Sequence, residues 1–216
     1  VDVSAVVKDI PHTSPNGLMV GLIERFDAYK GKLEAAVAAG AGVPLKSVRI
    51  RPPLPSPGNM DCMAVNYMED GTRAAPAPIN AFHKSPSCLI AHGETMVLPD
   101  IPATIFEGEA ELALVIGKAC SNVPASKAMD YVFGYLNFID GSARGVIPES
   151  NSFYQMKSRQ TFAPIGPYLV TADELPNVDN LRMINRVNGE VWFDGKISGW
   201  AFTFAASAAV FWASFA

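Results

Sequence analysis

The sequence predicts an α+β protein dominated by β-strands, with a small N-terminal helical segment. Three observations predict this class. Apolar residues recur at helical spacing near the N-terminus, two long apolar runs are typical of buried strands, and the Asn188-Gly189 step is typical of a tight hairpin. The 216 residues are 49% hydrophobic and 18% charged, which is enough to bury a substantial core.

The N-terminal region is predicted to contain one amphipathic helix. Ser14 and Pro15 offer an N-cap and a first-turn proline, and the helix is expected to end near Gly40. Its apolar positions are Leu18, Leu22, Phe26, Tyr29, Leu33 and Val37. A proline-rich stretch, 51–58, is expected to form an extended connector. We therefore divide the chain into an N-terminal region, 1–57, and a larger domain, 58–216.

The larger domain is predicted to consist mostly of strands. Its expected elements are, in order, strands within 61–66 and 81–86, a strand through 109–116, a helix within 124–130, a strand over 132–139 and a hairpin that pairs 182–187 with residues from Glu190. Residues 140–145 are polar and turn-forming, so the second long strand is expected to end at Ile139.

Carboxylates cluster at the ends of the two long strands. Because side chains two apart in a strand point to one face, Glu107, Glu109 and Glu111 are expected to project together, and Asp140 follows the second apolar run. Like charges at close range favour a divalent ion or a shared proton. Oxygen ligands favour Mg²⁺, Mn²⁺ or Ca²⁺ over zinc. The alternative is that these residues are solvated strand ends that bind nothing.

Charge and cysteine content narrow the class of partner. The net charge is −4 without a Lys/Arg-rich run, so a small-molecule site is expected rather than a nucleic-acid surface. Cys62, Cys88 and Cys120 lack paired spacing, which favours a reducing, cytoplasmic setting. Residues 197–216 are long enough to cross a membrane, but their Ala, Ser and aromatic content favours a soluble segment. No secretory signal and no membrane association are expected.

Four segments stand in a characteristic order and spacing: 109–118, 135–144, Lys157 with 162–167, and 187–190. Together they resemble the fumarylacetoacetate hydrolase family, from about Cys62 to about Trp192. The resemblance implies a fold of layered, mixed β-sheets with few helices, and a homodimer. It also implies a Mg²⁺ or Mn²⁺ ion, with Ca²⁺ as a further candidate, held by Glu109, Glu111 and Asp140.

The resemblance also implies a reaction class. The family breaks or rearranges carbon chains beside a 1,3-dicarbonyl or 2-keto acid, where a metal ion can stabilise an enolate. We expect a hydrolase that cleaves a carbon–carbon bond in acylpyruvate-like or fumarylpyruvate-like β-diketo acids. The alternatives are a decarboxylase or enol–keto isomerase at the same metal and, in another class, a catalytically silent ligand-binding homologue.

Further site residues follow from the same resemblance. Lys157 matches the family's active-site lysine, which stabilises an oxyanion or orients water. Arg144 is a candidate anchor for a substrate carboxylate, or else a brace for its own loop. Lys84 and Tyr154 are candidate substrate contacts, although Tyr154 can equally be a packing residue.

The chain departs from the family pattern in three places, one of which is Gln160, where the family tends to have an acidic residue. Asp70 stands where family hydrolases carry a lid histidine, and a carboxylate with a reference pKa of about 4 is a weak base unless its surroundings raise that pKa. Glu69 is the adjacent alternative base. Metal-assisted enolisation or decarboxylation needs less from such a base. Residues 199–216 lack the family's Gly-Thr-rich strand, so we expect the C-terminal part of the domain to be incomplete.

Overall fold

Helices fill the N-terminal region. The computed structural model describes residues 1–66, 74–146 and 152–197, and its first elements are α1 (Ser4–Val7), α2 (Pro15–Glu24) and α3 (Phe26–Ala39). The predicted cap is confirmed, because Ser14 Oγ accepts a hydrogen bond from the Gly17 N–H at 3.1 Å. The prediction of one continuous helix is wrong. The backbone leaves helical geometry at Arg25, where φ is −118°, and this break lets Phe26 pack edge-on against Phe133 at 5.0 Å.

Strands predominate from residue 61 onward in the described chain. Two short strands, β1 (Asp61–Ala64) and β2 (Asn80–His83), form an antiparallel pair. The main sheet has the order β3-β6-β5-β4, with β7 also paired to β5. Its strands are β3 (Leu89–Ala91), β4 (Ile105–Ile116), β5 (Val132–Arg144), β6 (Ala163–Ile165) and β7 (Val170–Thr171). The remaining elements are α4 (Ser152–Lys157) and the hairpin of β8 (Arg182–Val187) and β9 (Glu190–Lys196). The predicted α+β class is confirmed.

The longest pairing joins β4 to β5 in antiparallel register, with Glu109 opposite Asp140. The expected end of β5 at Ile139, and the turn over 140–145, are wrong: the strand continues through Arg144 and turns at Gly145, where φ is +74°. Gly141 explains why β5 continues past Asp140. Its N–H donates to Phe162 O at 2.9 Å, and a Cβ on this residue would lie 2.8 Å from that same oxygen.

The local turn and helix signals had different outcomes. The predicted hairpin is confirmed: Asn188 and Gly189 both have positive φ, 53° and 86°, as a type I′ turn requires. The segment expected to be a helix within 124–130 is a 3₁₀ helix, Ala125–Tyr131, which begins with a bond from Lys127 N–H to Pro124 O. The helix α4 was not predicted.

The core joins the N-terminal region to the main sheet. Ile23 of α2 and Leu54 of the proline-rich connector pack in one buried cluster with Val115 and Leu136 of β4 and β5. The division of the chain at 57/58 stays a prediction. Among the described residues, no helix has the length and hydrophobicity needed to cross a membrane. Residues 198–216, the greater part of the apolar C-terminal segment, lie outside the described chain.

Candidate metal centre

Three carboxylates meet on one face of the β4–β5 ladder. Glu109 and Asp140 are direct cross-strand partners, and Glu111 follows Glu109 by two residues, so its side chain points to the same face. One carboxylate oxygen from each of the three lies within 4.8 Å of the others. The strand pairing therefore brings together the residues predicted as metal ligands, whose role as ligands stays a prediction.

Two buried lysines contact this cluster. Lys84, the residue after β2, donates from Nζ to Asp140 Oδ1 at 2.5 Å and to Gly141 O at 2.9 Å. Lys157, the last residue of α4, donates from Nζ to both Glu109 Oε2 and Asp140 Oδ2. Both lysines are at most 3% exposed, and Asp140 is 1% exposed. Ammonium groups this deeply buried need such carboxylate partners.

Arg144 and Ser142 of β5 bind the outer carboxylates. Arg144 Nη2 donates to Glu109 Oε1 at 2.8 Å, and its Nε donates to Glu107 Oε2 at 2.6 Å. Ser142, which is fully buried, donates from Oγ to Glu109 Oε2 at 3.1 Å. Glu109 thus accepts hydrogen bonds on both oxygens.

The pKa of Glu111 is raised, whereas the pKa of Glu109 is lowered. Burial raises the pKa of Glu111 to about 8, and the negative charges of Asp140 and Glu109 add to this effect. Burial acts in the same direction on Glu109, but Lys157 and Arg144 outweigh it and lower the pKa of Glu109. Burial opposes the charge on Lys157, yet Asp140 and Glu109 together raise its pKa. Lys157 is therefore a cation at neutral pH, whereas at Glu111 the positive charges of Lys157 and Lys84 do not offset burial and the neighbouring carboxylates.

The donor set fits a divalent ion. Among the described residues, none donates a hydrogen bond to Glu111, so its carboxylate is the member of the cluster that a bound cation would satisfy. All three candidate ligands are carboxylates, which suit Mg²⁺, Mn²⁺ or Ca²⁺. The geometry and charge of the cluster thus favour a metal ligand set over solvated strand ends.

Two of the predicted substrate contacts line one cavity. Tyr154 is 67% exposed on α4 and lines this cavity of about 230 Å³ together with Lys84, His83, Ser158 and Met60. Arg144, the third predicted contact, binds two glutamates of β4 rather than its own loop. The predicted bases, Glu69 and Asp70, lie outside the described residues. Their roles, like those of Lys84, Tyr154, Arg144 and Lys157, stay predictions.

Sequence reasoning missed two residues that shape the cluster, Ser142 and Phe82, and it missed the contact of Glu107 with Arg144. The roles of Ser142 and Glu107 follow from strand alternation once β5 is known to extend past Asp140. Phe82 of β2 lies beneath the Lys157 ammonium, with Nζ 5.2 Å from the ring centroid, and stacks on Phe153 at 5.1 Å. A cation over an aromatic face is stabilised by the ring quadrupole. No local sequence pattern signals that contact.

The sequence matches a family model and several known proteins. The family model for the fumarylacetoacetate (FAA) hydrolase C-terminal region matches residues 60–215. A maleylpyruvate hydrolase from Aquipseudomonas alcaligenes is 34% identical over 185 residues, covering 79% of this chain and 63% of that protein. Oxaloacetate tautomerase YisK from Bacillus subtilis is 33% identical over 165 residues, covering 74% of this chain and 55% of that protein. The chain spans less than two thirds of the length of either relative.

Solved structures share the fold. The maleylpyruvate hydrolase from Sphingobium sp. SYK-6, in complex with manganese(II) and pyruvate, has a TM-score of 0.86 at 29% identity and aligns over 99% of this chain and 76% of its own. A 2-hydroxyhepta-2,4-diene-1,7-dioate isomerase from Mycobacterium marinum has a TM-score of 0.70 at 28% identity, over 81% of this chain and 65% of its own.

Proposed function

Because the chain belongs to the fumarylacetoacetate hydrolase family, whose members include hydrolases, isomerases and a tautomerase, we propose that it is a divalent-metal-dependent hydrolase of acylpyruvate-like or fumarylpyruvate-like β-diketo acids. The observation that carries the proposal is the carboxylate cluster on β4 and β5 with Lys157 in contact with two of its members. The reaction breaks a carbon–carbon bond.

Glu109, Glu111 and Asp140 are the residues that would hold the ion. When bound, a divalent ion supplies Lewis acidity toward a keto oxygen and an adjacent carboxylate. The manganese in the Sphingobium relative supports Mn²⁺, and the all-oxygen ligand set supports Mg²⁺ equally.

Other side chains have further proposed roles in the reaction. Lys157 is a buried cation that can stabilise a developing oxyanion, since Asp140 and Glu109 raise its pKa and favour its charged form. Lys84 and Tyr154 line one cavity, and Lys84 also contacts Asp140, which supports their predicted roles as substrate contacts. Glu69 or Asp70 remains the predicted base that takes a proton from water.

The proposed hydrolysis balances without a further co-reactant. The hydroxyl group of water adds to the acyl carbonyl carbon, and the bond from that carbon to the methylene carbon of the pyruvate unit breaks. The electron pair of the broken bond goes to the pyruvate unit as an enolate, which takes a proton and leaves as pyruvate. The acyl part leaves as a carboxylic acid.

A second candidate function is enol–keto tautomerisation or isomerisation at the same centre. The tautomerase relative and the isomerase structure favour it, and it requires no activated water. Decarboxylation uses the same enolate chemistry. Both reactions act on small keto acids. A homodimer, as the family resemblance implies, stays a prediction.

Product analysis separates these functions. The protein is stripped with EDTA, reloaded with Mn²⁺ or Mg²⁺, and incubated with maleylpyruvate or with oxaloacetate. Hydrolysis of maleylpyruvate yields equal amounts of pyruvate and maleate without carbon dioxide. Decarboxylation of oxaloacetate releases carbon dioxide, and tautomerisation changes the enol absorbance without a change in mass. We expect hydrolysis, and we expect EDTA to abolish it.

A ligand variant links the activity to the centre. Glu111→Gln keeps the shape of the side chain but removes its charge, so metal binding by calorimetry and metal-dependent turnover should both fall to background. Glu190→Gln, the same change on the exposed β8–β9 hairpin, should leave both unchanged. If the intact protein binds the ion but turns over none of these substrates, the protein is a silent ligand-binding homologue and the enzyme proposal is wrong.

A further inference from the structure

The two oxygens of Glu109 face different partners. Oε2 accepts from Ser142 Oγ at 3.1 Å and contacts Lys157 Nζ, which also contacts Asp140 Oδ2. Oε2 is therefore the oxygen turned toward the other carboxylates. Oε1 accepts from Arg144 Nη2 at 2.8 Å. Ser142 and Lys157 thus hold one oxygen of this ligand, and the permanently charged guanidinium of Arg144 holds the other.

Glu107 holds that cation in place. Arg144 Nε donates to Glu107 Oε2 at 2.6 Å, so the guanidinium bridges two glutamates that project from the same face of β4. In the ladder Arg144 stands opposite Ile105, and it reaches Glu107 and Glu109 along the strand. The side chains of Arg144 and Glu107 are 34% and 35% exposed, at the margin of the cluster. An arginine at this margin would sample other rotamers if Glu107 did not fix its Nε.

Asp140 shows the same division of its oxygens. Oδ1 accepts from the buried Lys84 at 2.5 Å, and Oδ2 contacts Lys157. Glu109 and Asp140 therefore each have one oxygen in contact with Lys157, which joins them, and the other oxygen in contact with a second cation, Arg144 or Lys84.

We propose that Glu107, acting through Arg144, is a positioning residue that restricts Glu109 to one-oxygen ligation and makes the centre select Mg²⁺ and Mn²⁺ against Ca²⁺. Ca²⁺ takes about six to eight oxygens and readily uses both oxygens of a carboxylate. Mg²⁺ requires octahedral geometry, and Mn²⁺ accepts the same oxygen-rich octahedral arrangement. An occupied Oε1 removes the extra oxygen that Ca²⁺ needs. This inference rests on the proposed metal-dependent function and narrows the choice of ion at the centre to Mg²⁺ or Mn²⁺.

Ion titration tests the proposal without an activity assay. EDTA-stripped wild type, Glu107→Ala, Glu107→Gln and Glu34→Gln are each titrated calorimetrically with MnCl₂ and with CaCl₂. Glu107→Ala should raise the affinity for Ca²⁺ relative to Mn²⁺ by about 10-fold, the scale of outer-sphere effects on metal sites. Glu107→Gln should give an intermediate ratio, because its amide oxygen can still accept from Arg144. Glu34→Gln, on the exposed face of α3, should match the wild type.

The ratio of the affinity for Ca²⁺ to the affinity for Mn²⁺ decides between the outcomes. An unchanged ratio in Glu107→Ala, including an equal loss of affinity for both ions, overturns the proposal, since a merely structural role would weaken both alike. If Glu107→Ala does not fold, Arg144→Lys replaces it, because lysine keeps the charge but cannot bridge two carboxylates. If the wild type binds Mn²⁺ and Ca²⁺ equally, the proposed ion selectivity is wrong, but the proposed metal-dependent function is not affected. A wild type that binds neither ion overturns the proposed function as well.

Discussion

At the scale of single residues, Lys157 is proposed to have a double role. Its ammonium lies over the face of Phe82 and contacts Glu109 and Asp140, both predicted ligands of the ion. The charge of Lys157 therefore stabilises these carboxylates when no ion is bound. Near a bound substrate the same charge can stabilise an oxyanion. One side chain would then support both the fold and the reaction.

Replacing Lys157 by methionine should separate these two roles. We expect turnover of maleylpyruvate to fall about 100-fold or more, because an oxyanion loses its donor. We also expect Mn²⁺ to raise the melting temperature more than in the wild type, because the ion then compensates carboxylates that have lost their lysine. Steady-state kinetics and thermal unfolding with and without Mn²⁺ measure the two effects.

Lys127→Met is the control for that change. Lys127 is an exposed lysine of the 3₁₀ helix Ala125–Tyr131, and its nearest carboxylate oxygen, on Asp130, is 3.9 Å away. Both readouts should match the wild type in this variant. If Lys157→Met retains full turnover, Lys157 has no role in the reaction.

At the scale of elements, close backbone approach around β5 depends on glycine. A Cβ on Gly134 would lie 3.0 Å from the Val170 carbonyl carbon and closer still to its oxygen. Gly134 is paired with Thr171 of β7. β7 therefore pairs with β5 at this position only because residue 134 has no side chain.

Gly134→Ala should disrupt the β5–β7 pairing. We expect the free energy of unfolding to fall by about 1–3 kcal/mol, the usual cost of an overpacked site. Urea denaturation measures this change. Gly31→Ala on α3 is the matched control, because a Cβ there meets nothing within 4 Å and alanine favours a helix by about 1 kcal/mol over glycine. Equal stability of the two variants would contradict the packing argument.

The elements also show what the sequence can predict. The Asn188-Gly189 hairpin and the strand through Glu109 have local signals, so both could be predicted. The extension of β5 through 140–145 could not, because the composition of this segment favours a turn. Pairing with β4 and the backbone of Phe162 override that preference.

The candidate site likewise contains residues that could be predicted from the sequence and contacts that could not. Its carboxylates could be predicted from strand alternation and from motifs. The hydrogen bond between Lys84 and Asp140 joins residues 56 positions apart, and only the folded chain brings them together. The break at Arg25 also has no local signal, since the apolar spacing continues through it.

At the scale of the whole molecule, the N-terminal region contributes to the core beside the site. Ile23 and Leu54 pack against Val115 of β4 and Leu136 of β5, the strands that carry the three carboxylates. Lys30 of α3 also forms an ion pair with Asp173, just after β7. The region 1–57 thus stabilises the sheet that positions the site.

Ile23→Ala should therefore destabilise the entire molecule. We expect a loss of about 2–5 kcal/mol in the free energy of unfolding, the range for large-to-small changes in a packed core. Chemical denaturation followed by both tryptophan fluorescence and far-UV circular dichroism measures it. Val37→Ala, at a position of α3 that is 56% exposed, should change stability by less than about 0.5 kcal/mol. A loss confined to helical signal would show that the N-terminal region unfolds independently.

All three candidate ligands come from a single pair of adjacent strands, whereas Lys84, Tyr154 and Lys157 come from other elements. In evolutionary terms, this arrangement separates two kinds of variation. Under the proposed function, substitutions around β2 and α4 would alter which keto acid is held, while β4 and β5 continue to present the same carboxylates. Such modularity is compatible with a family in which hydrolases, an isomerase and a tautomerase share one architecture.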